Sequence, residues 1–158
     1  GRATEELASI AAHGIAVHIC PGVTTACAAA ASAGVSLTLR GLARQLTFVT
    51  AHARAGDALD LDWTTLAARD QSLAIYMGRQ AAAEIARALI AAGRGGSTAA
   101  IVAVNVSLPN ETIIRTRLDA LAFAVKAVSG DAPTMLLVGE AFADPVGAAT
   151  PASVMADA

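Results

Sequence analysis

Two stretches of the chain put polar or polarisable side chains where a strand runs out. In the first, the apolar run Val17-His18-Ile19-Cys20 meets Pro21-Gly22, and Thr24 and Thr25 follow at the start of an alanine-rich helix. A helix start leaves backbone N–H groups without intrahelical acceptors, and two hydroxyls beside them add donors and acceptors. Past a strand end in an α/β protein this combination suits a ligand, although most such turns only connect, and spacing alone does not separate the two cases. The second stretch is Ile75-Tyr76-Met77-Gly78, where a buried-looking strand stops at Met77 and a glycine. A methionine there either fills core or offers a soft apolar wall to a ligand.

The remaining reactive side chains give weaker signals. His52 follows a predicted strand and reads as a solvated loop residue or a cleft residue. Asp57, Asp60 and Asp62 lack the spacing and glycine of a calcium loop, so they read as a solvated connection in which Asp62 caps the next helix. The two cysteines, Cys20 and Cys27, have no zinc-like spacing and fit reduced thiols in a cytoplasmic setting. No local motif for a serine, cysteine or metal mechanism is present, and no metal is expected.

Composition narrows the classes further. The 158 residues carry a formal net charge of −2, which gives no electrostatic footprint for nucleic acid. Lys126 is the only lysine beside the arginines, a bias that fits bidentate carboxylate recognition or simply GC-rich coding. Residues 19–39 are uncharged until Arg40 and long enough to raise the question of a membrane. The Pro-Gly break and the Ala, Ser, Thr and Gly content argue instead for a buried helix. Apolar residues make up 55% but aromatics only 3%, so the core must rest on Leu, Ile, Val and close packing over Ala.

The elements that would carry these residues follow from periodicity. Helices are expected over residues 4–12, with Leu7 and Ile10 facing inward, and over 24–33, 63–68, 81–92 and 118–128. Strands are expected over 15–19, 46–50, 73–77, 100–106, 111–116 and 134–138, the fifth returning antiparallel to give a mixed sheet. Residues 93–97 read as a flexible turn. The architecture is therefore α/β, an αβα domain with a mixed sheet.

In wording and order the chain resembles uroporphyrinogen-III C-methyltransferases of the tetrapyrrole methylase family. The resemblance rests on Gly1-Arg2-Ala3-Thr4-Glu5-Glu6, on Pro21-Gly22-Val23-Thr24, and on Ala33-Gly34-Val35-Ser36-Leu37-Thr38-Leu39-Arg40-Gly41. Further landmarks are Leu46-Thr47-Phe48-Val49-Thr50-Ala51-His52, Leu61-Asp62-Trp63, Tyr76-Met77-Gly78 and Leu136-Leu137-Val138-Gly139-Glu140. Ser36, Leu39 and Val106 depart from the family's usual Pro, His and small residue.

That resemblance implies S-adenosylmethionine as cofactor and transfer of its methyl group to pyrrole carbons of uroporphyrinogen III, giving precorrin-2 for sirohaem or cobalamin. It implies that Thr24, Thr25, Met77 and Val106 contact the cofactor and that Arg2 contacts carboxylates of the tetrapyrrole. It also implies a homodimer. The family's glycine-rich and Gly-Gly-Asp-Pro loops and its proton-handling residues would lie upstream of Gly1, so the chain reads as a C-terminal portion with no catalytic residue of its own. On this reading residues 1–39 are the tail end of an N-terminal α/β domain with its connecting helix, 40–142 the C-terminal methylase domain, and 143–158 a tail. Two alternatives stay open: a noncatalytic scaffold for dimerisation and one cofactor wall, and another methylase of the same fold.

Overall fold

The computed structural model describes residues 2–51 and 59–143. The expectations for His52 and Asp57, and for the tail beyond residue 143, lie outside the described residues. Five strands form one mixed sheet: β1 (Gln45–Thr50), β2 (Gln71–Tyr76), β3 (Ala99–Val104), β4 (Thr112–Arg117) and β5 (Thr134–Val138), in the order β1-β2-β5-β3-β4. β1 runs parallel to β2, while β5 is inserted antiparallel between β2 and β3, and β4 returns antiparallel along β3. The carboxyl ends of β1, β2 and β3 therefore lie along one edge of the sheet, beside the amino end of β5.

Helices cover both faces, which explains why β2, β3 and β5 read as unbroken apolar runs rather than alternating ones. On one face, Leu73, Ile75, Val102, Leu136 and Val138 pack under α3 (Trp63–Leu66), α4 (Ala82–Ala91) and α5 (Leu121–Val128). On the other, Ala74, Ile101, Ala103, Met135 and Leu137 pack under α2 (Thr25–Ala33) and the short 3-10 turn Glu140–Phe142. α2 buries Ala26, Ala29, Ala30 and Ala33. That one-face spacing, with nothing larger than a methyl group, lets the helix lie close to the sheet.

Both ends of α2 are fixed. Thr24 accepts a hydrogen bond from Ala26 N at 3.4 Å as its N-cap, and Gly34 closes the helix in the left-handed region at φ 65°. The Arg115 guanidinium on β4 donates to the Ala33 carbonyl at 2.5 Å, placing a cation at the helix's negative end. α3 starts as expected on Asp62, whose carboxylate accepts from Thr65 N and Thr65 Oγ1; these bonds hold it below the usual carboxylate range.

The structure corrects two expectations. Residues 15–19 form no strand: they make no backbone hydrogen bond among the described residues, and Ile15 and Ile19 stand 60% and 75% exposed. A β-branched run becomes a strand only beside a pairing edge, and none of the five described strands lies next to it. Helix α1 (Ala3–Ala12) forms but buries none of its residues, so Leu7 and Ile10 do not face a core.

Residues 93–97 turn as expected, and the turn is anchored through Arg94. Arg94 is 2% exposed, and its guanidinium donates to the carbonyls of Leu66, Ala68 and Gln71 at 3.2, 3.2 and 2.7 Å. Burial lowers its pKa, and the nearby Glu140 carboxylate partly offsets that cost. Smaller shifts follow from local geometry: the expected last helix opens with a 3-10 turn over Leu118–Ala120, and β3 ends at Val104, leaving Val106 beyond the strand.

Candidate functional site

A cavity of about 570 Å³ opens at the sheet edge where β2 and β3 end and β5 begins. Thr25 from the first turn of α2, Met77 just past β2, Asn105 and Val106 just past β3, and Met135 at the start of β5 line it. This is the position at which open α/β sheets take ligands, because strand ends and helix starts leave backbone groups free there. The insertion of β5 between β2 and β3 separates the two loops and makes room between them.

The backbone at this edge is unusual. Among the described residues, the non-glycine residues with positive φ are Met77 at 54°, Asn105 at 52° and Ser107 at 67°, and all three follow β2 or β3 at the cavity edge. Asparagine tolerates this region; methionine does so at a cost of about 1–3 kcal/mol, which the surrounding structure must offset. Gly78 shows how the turn after Met77 fits: a Cβ there would meet Ile75 Cγ2 and Leu136 Cδ1 at 3.0 Å. The chain thus dives under the core directly after Met77, while the Met77 side chain stays 55% exposed against the cavity. The loop after β3 is secured by Glu111, whose carboxylate accepts from Ser107 N at 2.6 Å.

Thr25, Met77 and Val106 therefore come together around one cavity although they are distant in sequence. Thr24 stands behind that wall: besides capping α2, its hydroxyl is hydrogen-bonded to the Tyr76 hydroxyl, and Tyr76 lines the cavity. Arg2 does not line it. It sits exposed at the start of α1, in an ion pair with Glu5 at 2.9 Å.

Sequence reasoning did not single out Asn105, Arg79 or Asp131, which also line the cavity. An asparagine directly after a long apolar strand was a readable sign of a left-handed turn residue. Arg79 donates to the Gly130 carbonyl and to Asp131 at 2.9 Å, tying the loop after β2 to the loop before β5. Nothing in the primary structure announces a pair 52 residues apart.

The apolar walls from Met77, Val106, Leu108, Pro133 and Met135, broken by the amides of Gln80 and Asn105 and a few hydroxyls, suit a flat heterocycle with a hydrogen-bonding edge, such as a nucleoside. The carboxylate lining the cavity, Asp131, is exposed and paired with Arg79, so this wall is built to hold a ligand rather than to pass a proton. Among the described residues no cluster of His, Cys, Asp or Glu could hold a metal ion, and no helix is long and apolar enough to cross a membrane.

Comparison with known proteins agrees with this geometry. Residues 1–122 match the sequence profile of the Tetrapyrrole (Corrin/Porphyrin) Methylases. The chain is 39% identical over 140 residues to a siroheme synthase of Chromobacterium violaceum, covering 89% of this chain and 30% of that protein. It is 43% identical to siroheme synthase 1 of Yersinia enterocolitica, covering 89% of this chain and 29% of that protein.

Among solved structures it resembles a cobalt precorrin-4 methyltransferase, with a TM-score of 0.80 at 27% identity, over 90% of this chain and 59% of that one. It also resembles uroporphyrin-III C-methyl transferase from Thermus thermophilus complexed with S-adenyl homocysteine, with a TM-score of 0.70 at 30% identity, over 89% of this chain and 60% of that one. The chain thus spans about 30% of the length of these siroheme synthases and about 60% of these methyltransferases. With the profile matched over most of its length and the mixed sheet shared with solved members, the chain belongs to the tetrapyrrole methylase family.

Proposed function

We propose that this chain supplies one wall of the S-adenosylmethionine site of a methyltransferase that converts uroporphyrinogen III to precorrin-2, on the way to sirohaem or cobalamin. The observation that carries the proposal is the cavity joining Thr25, Met77 and Val106 in a tetrapyrrole methylase chain. Its size and apolar walls fit the adenosine half of the cofactor, and its amides and hydroxyls fit the base and ribose. A relative solved with S-adenyl homocysteine supports the same ligand class.

When bound, S-adenosylmethionine supplies a sulfonium methyl for in-line displacement by a carbon nucleophile. This chain's own residues would fix the donor's position. Met77 and Val106 would hold the base between apolar surfaces, Thr25 would offer its hydroxyl from the first turn of α2, and Thr24 would steady the Tyr76 ring. Once the remaining walls close over it, the apolar lining would exclude water and favour loss of the sulfonium charge as the methyl moves. Positioning dominates such a displacement, and an error of about 1 Å can cost roughly a hundredfold in rate.

On this account the proton-handling groups and the remaining walls come from elsewhere in the protein, and Arg2 would reach the tetrapyrrole carboxylates only once those parts frame it. A cytoplasmic homodimer fits the uncovered apolar side chains of residues 15–23. The second reading, a noncatalytic scaffold for dimerisation and one cofactor wall, draws on α1, which buries nothing in this chain. Turnover of uroporphyrinogen III, measured with this chain alone and with the full gene product, separates the readings. The expected outcome is methylation by the full product and none by the chain alone. Turnover by the chain at the full rate would show that the site lies elsewhere, and no turnover by either would favour the scaffold.

A further inference from the structure

We draw no further inference here: the strongest candidate, the cavity of about 310 Å³ between the start of α4 and the end of α5 where Arg79 and Lys126 meet with no carboxylate in the wall, carries nothing, because Arg79 is taken up by the Gly130 carbonyl and Asp131, Lys126 stands exposed in the last turn of α5, and no buried unpartnered polar side chain among the described residues opens into it.

Discussion

Replacing Arg94 with methionine is expected to lower the stability of the fold by about 3 kcal/mol or more, read as an earlier denaturation midpoint with an unchanged slope. Burial works against this arginine, since desolvation disfavours its charge and its Nε has no partner among the described residues. On that ground alone an apolar replacement of similar length would be harmless. The carbonyls of Leu66, Ala68 and Gln71 decide the sign, because the guanidinium joins the end of α3 to the start of β2 and methionine gives those acceptors nothing in exchange. Each hydrogen bond from a charged donor contributes about 1.5–3 kcal/mol, so the loss outweighs the desolvation relieved. Arg94→Lys should fall between the two, since one ammonium cannot span three acceptors that a planar fork reaches. Stability of Arg94→Met within about 1 kcal/mol of the native value would show that the carbonyls find other partners.

The second large effect concerns the cavity. Val106 stands half-buried at its edge, outside β3 and at a negative φ that a larger side chain can adopt. Val106→Phe is expected to weaken S-adenosylhomocysteine binding by the full gene product at least about 100-fold, since a single surplus methylene in an apolar pocket already costs about 10- to 200-fold. Val106 also packs against the edge of the core under α2, so denaturation is measured alongside and should shift far less than binding. Val106→Ala should bind at least as well as the native protein, which tests the view that valine narrows a space that other members of the family leave open. Equal affinity for native and Val106→Phe would remove the cavity from the account.

The parts of this fold that were legible in the sequence are those set by local pattern. β2, β3 and β5 announced themselves as apolar runs because both their faces are covered, and α2 did so as an alanine-rich run stopped by Gly34. Residues 15–19 carry the same β-branched signal, yet a strand also needs a neighbour, and propensity carries no information about whether a pairing edge is present. The anchoring by Arg94 was not legible for a related reason: it lies among glycines in a turn, and its three acceptors come from residues 66–71.

The cavity was legible where side-chain type and strand end coincide, as at Met77, whereas Thr25 reaches it from the first turn of α2 with no strand before it. The left-handed backbone at Met77 and the Arg79–Asp131 tie depend on the three-dimensional crossing of loops. Asn105 lies between these cases, since its residue type suited a left-handed turn while its place in the cavity wall became visible only in the fold.

The central claim is that the edge joining the ends of β2 and β3 holds adenosine. A crystal structure of the full gene product with S-adenosylhomocysteine tests it most directly. The account predicts adenosine density in contact with Thr25, Met77 and Val106; density for the ligand at another place, with this cavity empty, would contradict it.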